Sequence, residues 1–510
     1  MKQLILFLWF LIGVISLGFA QQVDSLLLKI NPENKYQTID HFGASDAWSI
    51  QFVGNWPEVK RNAIADLLFS IDSENGQPKG IGLSMWRFNL GAGSAEQGDS
   101  SGIKDEWRRA PSFLKEEGKV ELSNSSGQLW FANAAKERGV EKLLLFSNSP
   151  PVNFTKNGKA FSSDGKSNLA LEKEADFAEY VSQVILKMEE KGLNPGYFSP
   201  LNEPQWDWKD GGQEGNPYTN EEIASLIRTI NRSFVENHVS AKIDVAEAGK
   251  INYLYEKADK PFRGNQIDEF FNSESPNYLG DLSHVSKVIS AHSYFTTSPF
   301  QASEEMREKL ASKINQYEGL SYWMSEYCIL GGNDGEINGG GKDLGMESAL
   351  YIARVIHQDL TVSNASAWNW WLAVSPYNYK DGLIYIDKNK EDGQFYTSKM
   401  LWTLGNFSRF IRPGFQRIEV ESSLQEKNEV FASAYQNPQD ETITIVLVNT
   451  SENDVIVSLD EKNLYHFDSL GFLTNEGSDL APNAIREASF HLPKKSVFTV
   501  SLKIKTAHQN

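Results

Sequence analysis

Two glutamates stand where carboxylate chemistry could be done. Glu203 lies in Leu201-Asn202-Glu203-Pro204 and is followed by Gln205-Trp206-Asp207-Trp208, while Glu326 closes the run Tyr322-Trp323-Met324-Ser325. Breaking a glycosidic bond needs a proton for the leaving oxygen and negative charge beneath an oxocarbenium-like carbon, and two facing carboxyl groups supply both. A single Glu at a strand end is usually solvated or salt-bridged. The case here rests on the pair and on the Asn, Pro and Trp residues around it. Other chemistries lack their residues. The 8 His are scattered without a His-x-His or His-Glu-x-x-His pair, so the sequence calls for no metal and no cofactor. No Gly-x-x-x-x-Gly-Lys-[Ser/Thr] loop occurs, and Gly331-Gly332 and Gly339-Gly340-Gly341 read as flexible loops at the mouth of a site. Ser147 and Ser149 lack a nucleophile-elbow context.

Such a pair must be held by a frame. Short apolar runs predict strands at 38–44, 83–88, 142–147, 197–202, 242–246, 288–292, 322–326 and 365–371. Helical patterns lie at 57–70, 129–138, 173–191, 221–237, 304–316 and 347–360, of which 173–191 has the clearest three- and four-residue spacing. Pro57 and Asn220 sit where a first turn and an N-cap belong. Eight strands alternating with helices predict an α/β fold, a (β/α)8 TIM barrel with right-handed crossovers, whose chemistry sits at the C-terminal strand ends. Those ends read Ala44-Ser45-Asp46, Arg87-Phe88-Asn89, Asn148-Ser149-Pro150, Asn202-Glu203-Pro204, Ala246-Glu247, His292-Ser293-Tyr294, Ser325-Glu326-Tyr327 and Trp368-Asn369-Trp370. Glu247, a third strand-end acid without a motif, reads as structural or substrate-binding.

After Leu404 the pattern becomes all-β, with runs at 431–435, 442–449, 455–459, 464–470 and 496–503. This predicts an attached antiparallel β-sandwich side domain built from the C-terminus and an N-terminal strand at 26–30. The expected divisions are 1–20 signal peptide, 21–35 N-terminal strand, 36–404 barrel and 405–510 sandwich. The few aromatics on its exposed strands (Tyr435, Tyr465, Phe467) suit support of the barrel better than independent polysaccharide binding.

Composition narrows the class. The chain has 510 residues, 12% aromatic, with 13 Trp and 18 Tyr, which suits stacking on sugar rings. A net charge of −18 disfavours nucleic acid and anionic membrane as partners. The lone Cys328 excludes a disulfide framework. Met1-Lys2-Gln3, an apolar run from Leu4 to Val14 and Gly18-Phe19-Ala20 have the layout of a cleavable signal cut after Ala20. That predicts a secreted or periplasmic monomer with no membrane contact after cleavage.

Leu201-Asn202-Glu203-Pro204 and Met324-Ser325-Glu326-Tyr327 resemble the strand-4 acid/base and strand-7 nucleophile of clan A retaining glycosidases. With Gln37-Thr38-Ile39-Asp40-His41-Phe42-Gly43-Ala44-Ser45, Arg87, Ser147-Asn148-Ser149-Pro150 and Phe407-Ser408-Arg409-Phe410-Ile411-Arg412-Pro413-Gly414, the chain resembles glycoside hydrolase family 30 over residues 24–503. His41 departs from that family's usual Gly and would either reshape the floor near strand 1 or be a surface variation. The resemblance implies Glu203 as acid/base and Glu326 as nucleophile in a double displacement, with Glu203 kept protonated by its surroundings and by the charge on Glu326. It also implies Asn202 on the sugar 2-OH, Arg87 and Tyr294 on Glu326, and Trp370 as a platform under the ring. Trp48, His292, Asn369 and Trp206 are further substrate-binding candidates. The partner is then a β-linked oligo- or polysaccharide. Ser147-Asn148-Ser149-Pro150-Pro151 and Ala44-Ser45-Asp46-Ala47-Trp48 are similar to their counterparts in endo-β-1,6-galactanases; β-1,6-glucanase and xylanase are the alternatives, and a non-catalytic carbohydrate-binding protein is the opposing class.

Overall fold

The computed structural model describes residues 24–115, 118–423, 429–440, 442–460, 465–466 and 469–504. The expected leader and its cleavage site lie outside these residues, as do positions 464, 467 and 468 of the expected 464–470 run, Phe467 among them.

Eight parallel strands close into a barrel: His41–Ser45, Met85–Asn89, Lys142–Phe146, Tyr197–Ser199, Lys242–Ala248, Val285–His292, Ser321–Tyr327 and Ala367–Ser375. Closure comes from the seventh strand pairing with the eighth, and from the eighth pairing with the first. The strands read as short, nearly continuous apolar runs because helices cover one face and barrel packing the other. The helix Glu174–Glu190 shows the matching pattern, burying Phe177, Val181, Val184, Ile185 and Met188 on one stripe.

Three boundaries differ from expectation in ways that move site residues. The fourth strand stops at Ser199, which puts Asn202 and Glu203 in the turn beyond it. The fifth runs on to Ala248, so Glu247 belongs to the strand itself, and the eighth runs to Ser375, well past Trp370. At the helix Asn220–Glu236 the cap is Thr219 instead of Asn220. Thr219 Oγ1 accepts from the Glu222 N–H at 3.2 Å, and the Glu222 carboxylate accepts from the Thr219 N–H at 2.8 Å. This capping box satisfies two donors that the first helical turn leaves open.

Asp24–Thr38 leaves the barrel and enters the second module. It pairs antiparallel with Gln416–Ser422 and parallel with Val455–Leu459. Among the described residues the sandwich is therefore antiparallel except at this one seam. Its core gathers Leu26 and Leu28 from the N-terminus with Ile418, Ile445, Leu447, Val457 and Val500. The change of pattern after Leu404 falls inside the buried helix Lys399–Ser408, and the first sandwich strand after it begins at Gln416. Asn406 Nδ2 bonds Phe472 O and Thr499 Oγ1 across the module boundary. Arg409 donates to the carbonyls of Ser70, Gly80, Ile71 and Asp72, fastening the junction to the loop after the first barrel helix.

A lysine cannot present that planar fork. Arg409→Lys is expected to cost about 2 kcal/mol of stability, read as a lower urea midpoint at unchanged slope.

Candidate active site

Glu203 has a left-handed backbone, φ 45°, which is uncommon for a residue with a side chain. Hydrogen bonds hold it there. Its N–H donates to Glu247 O at 2.8 Å, while its carbonyl accepts from the Trp206 N–H at 3.1 Å and from Trp208 Nε1 at 3.0 Å. The fifth strand is distorted opposite it. Ala246 and Glu247 also have positive φ, 93° and 42°, and the pairing with the sixth strand shifts register between Val245 and Ala248. Ser290 Oγ accepts the Glu247 N–H at 3.1 Å. Left-handed residues in a row of this kind point to a functional constraint.

The side chains form a chain of alternating charge. Glu326 Oε2 meets Arg87 Nη1 at 3.2 Å, and Arg87 Nη2 meets Glu247 Oε2 at 3.0 Å. The same Glu247 oxygen accepts from His292 Nε2 at 3.0 Å, and His292 Nδ1 donates to Glu203 Oε1 at 3.0 Å. Nδ1 also stands 3.6 Å from Glu326 Oε1, which accepts from Tyr294 Oη at 3.0 Å. Both catalytic candidates thus lie within reach of one imidazole. All six residues are buried.

Burial alone would drive the proton off His292, but Glu326, Glu203 and Glu247 outweigh it and lift its pKa to about 10. Burial would raise Glu247, yet Arg87 and His292 hold it at about 2. Glu326 is raised by burial, and His292 and Arg87 pull against that rise. They are the groups that favour its carboxylate form. Glu247, His292 and Glu326 are spaced as metal ligands could be, the one such group among the described residues. Of their carboxylate oxygens, Glu326 Oε2 accepts from Arg87 and Glu247 Oε2 from both Arg87 and His292.

The structure therefore brings together Glu203, Glu326, Arg87, Tyr294 and His292. Asn202 lies buried beside Glu203 with Oδ1 unpartnered. Trp206 is partly exposed, edge-on to Tyr253 and Phe295. A Cβ on Gly249 would stand 2.7 Å from Trp206 Nε1 and 3.4 Å from Glu203 Cβ, so the indole and the acid flank that glycine. Trp48 is buried, edge-on to Trp371 at 5.4 Å, with Nε1 unpartnered.

Two candidates stand elsewhere. Asn369 Nδ2 bonds His41 Nε2, and His41 begins the first strand at the barrel floor, buried and paired with Asp40. His41 is thus part of the core and no surface variation. Trp370 has 0% exposure, and its Nε1 donates to Asp381 O. Strand alternation puts Trp368 and Trp370 on one face and Asn369 and Trp371 on the other. The aromatic with access to the cleft is Trp371, 8% exposed and packed on Trp48 and Phe146. Sequence could not set this phase, because both faces of the eighth strand are apolar. Phe295, 52% exposed with φ 58°, was also missed; its one signal is adjacency to Tyr294.

Among the candidate residues Trp48 Nε1, Asn202 Oδ1 and, next to them in the strand-end set, both side-chain atoms of Asn148 are buried without a partner. Each costs roughly 1–3 kcal/mol while unsatisfied, and a ligand rich in hydroxyls would satisfy them.

Folding favours charged His292, so its contribution to stability is complete below pH 6.5 and is lost as pH rises through about 10. The melting-temperature gap between wild type and His292→Gln is expected to narrow across that window in calorimetry. A gap that widened would contradict a protonated bridge.

The model of O-glycosyl hydrolase family 30 matches residues 25–385, and that of the glycosyl hydrolase family 30 beta sandwich domain matches 414–500. A conserved exported protein from Bacteroides fragilis superimposes with TM-score 0.86 at 30% identity, covering 93% of this chain and 100% of that one. Glucuronoxylanase XynC of Bacillus subtilis (strain 168) is 23% identical over 69% of this chain and 71% of its own. The endo-β-1,6-glucanase BT3312 has TM-score 0.66 at 17% identity, over 94% of each chain. The chain belongs to glycoside hydrolase family 30 and is an O-glycosidase.

Proposed function

We propose that the protein cleaves a β-linked polysaccharide with retention of configuration, and that its substrate is β-1,6-galactan cut within the chain. The observation that carries the mechanism is the single imidazole standing between Glu203 and Glu326. Glu326, oriented by Arg87 and Tyr294, attacks the anomeric carbon while Glu203 gives its proton to the departing oxygen. Glu203 then takes a proton from the water that displaces Glu326, and the two inversions restore the configuration. Asn202 Oδ1 accepts the sugar 2-OH.

Glu203 comes from the fourth strand's turn, so the leaving group lies along the wall that carries Trp206 and Phe295. Trp48, Asn148 and Trp371 form the opposite wall, which takes the glycone. The two segments similar to endo-β-1,6-galactanases, 44–48 and 147–151, contribute Trp48 and Asn148 with their unpartnered atoms to that wall, and this supports the galactan reading. The relatives' xylan and β-1,6-glucan are the competing polymers. The expected leader, together with an exported structural relative, supports work outside the cytoplasm; no helix among the described residues is long and apolar enough to cross a membrane.

Product release from β-1,6-galactan, β-1,6-glucan, xylan and arabinogalactan tests the substrate. A ladder of oligosaccharides from galactan alone is expected, and an equal rate on β-1,6-glucan would overturn the choice. Glu326→Gln should abolish release from every polymer. Glu203→Gln should slow polymer hydrolysis by about 10²–10⁴-fold; an aryl glycoside whose leaving group needs no proton should still give a burst of phenol, followed by slow turnover because the second step lacks its base. Phe295→Ala is expected to raise KM for the polymer several-fold, by about 1 kcal/mol of lost stacking, and to leave aryl-glycoside turnover unchanged.

A further inference from the structure

We propose that Glu247 is the positioning residue that ties the two catalytic carboxylates into one unit, and that Asp244 supports it as a neutral acid. The inference rests on the glycosidase reading above and adds to it a residue that touches no substrate. Three observations carry it. First, one oxygen, Oε2, accepts from both Arg87 and His292 at 3.0 Å. Arg87 orients Glu326 and His292 orients Glu203, so a shift of this one atom moves both. Second, Glu247 also holds Glu203 through the backbone, its carbonyl accepting the Glu203 N–H at 2.8 Å while both residues have positive φ. Third, Glu247 Oε1 and Asp244 Oδ1 are both buried and lack any other partner.

Two carboxylates facing each other in a buried site cannot both be ionised. The roles are set by the neighbours. Glu247 has Arg87 and His292 against it, whereas Asp244 Oδ2 meets the hydroxyls of Ser199 and Ser290 at 2.7 and 3.0 Å. Burial and the charge of Glu247 push the Asp244 carboxyl well up. The proton therefore stays on Asp244 and is donated to Glu247 Oε1, satisfying both orphan oxygens. The groups that face Glu247 are Arg87 from the second strand, Asp244 from its own, His292 from the sixth and Glu326 with Ser325 from the seventh.

The test uses the full chain on an aryl β-glycoside, with Glu247→Asp and the double variant Asp244→Asn/Glu247→Gln. The double variant is needed because Asp244 is the one group that could take over the lost charge. Glu247→Asp keeps the charge one methylene short. It is expected to lose kcat by about 10²-fold, with little change in KM and unmoved limbs of the pH–rate profile. The double variant removes the charge, which lowers the pKa of every neighbour, so both limbs should move acidward. A role in stability alone would lower the melting temperature and leave both profiles in place. Full kcat in Glu247→Asp would overturn the proposal, and it decides the question even if the double variant does not fold. An unmoved profile in a folded double variant would overturn it equally. A wild type inactive on every glycoside would sink the glycosidase reading instead.

Discussion

Glu247 and Glu326 share one buried cage with two cations, Arg87 and His292, and the site works only while each of these charges faces its opposite. Carboxylates at this depth would otherwise repel one another and be protonated, and a nucleophile without its charge is no nucleophile. The balance comes from Arg87 on the second strand and His292 on the sixth, set between Glu203, Glu247 and Glu326. Five different strands or their turns contribute to the cage. That is the physical reason for a closed barrel here: a ring of strands points side chains from all sides at one volume, which an open sheet cannot do.

The cage also explains where the backbone departs from easy geometry. Positive φ angles at Glu203, Ala246 and Glu247 cost of order 1–3 kcal/mol each, and they persist because the surrounding hydrogen bonds allow no alternative. Gln205 contributes to this, its side chain accepting the Gly249 N–H and donating to Arg263 O. The fourth and fifth strand ends are thus one braced unit, and the aromatic wall around Trp206 is built on it.

Much of this was legible in the sequence, and the exceptions share a cause. The eight strands, the two glutamates and the Arg87, Tyr294 and His292 partners follow from strand-end positions and motif likeness, because strand ends are where the fold exposes chemistry. Strand length was less legible. A run buried on both faces shows no alternation, so the fifth strand's extension to Ala248 and the phase of the eighth were hidden. The first leaves Glu247 as a structural or substrate-binding acid after its strand, and the second puts the fully buried Trp370 on the face that Trp371 takes. Sandwich strands such as Ser478–Ile485 and Ser489–Leu492 escape notice because each buries few apolar residues, Leu480 and Ile485 in the one and Leu492 in the other. The exposed Phe295 owes its place to a left-handed backbone angle, which composition does not announce.

The described segments 24–38 and 416–504 belong to one module, on either side of the barrel in sequence. The partners of Asp24–Thr38 in Gln416–Ser422 and Val455–Leu459 lie between 378 and 431 residues later in the chain. Topologically, the barrel is an insertion within the sandwich. Contacts so distant in sequence carry a large loop-closure entropy until the intervening chain has compacted. The barrel's own strands pair between near neighbours and can form as the chain lengthens. Loop-closure entropy therefore favours an order in which the barrel compacts first and the seam between Asp24–Thr38 and its partners closes after it.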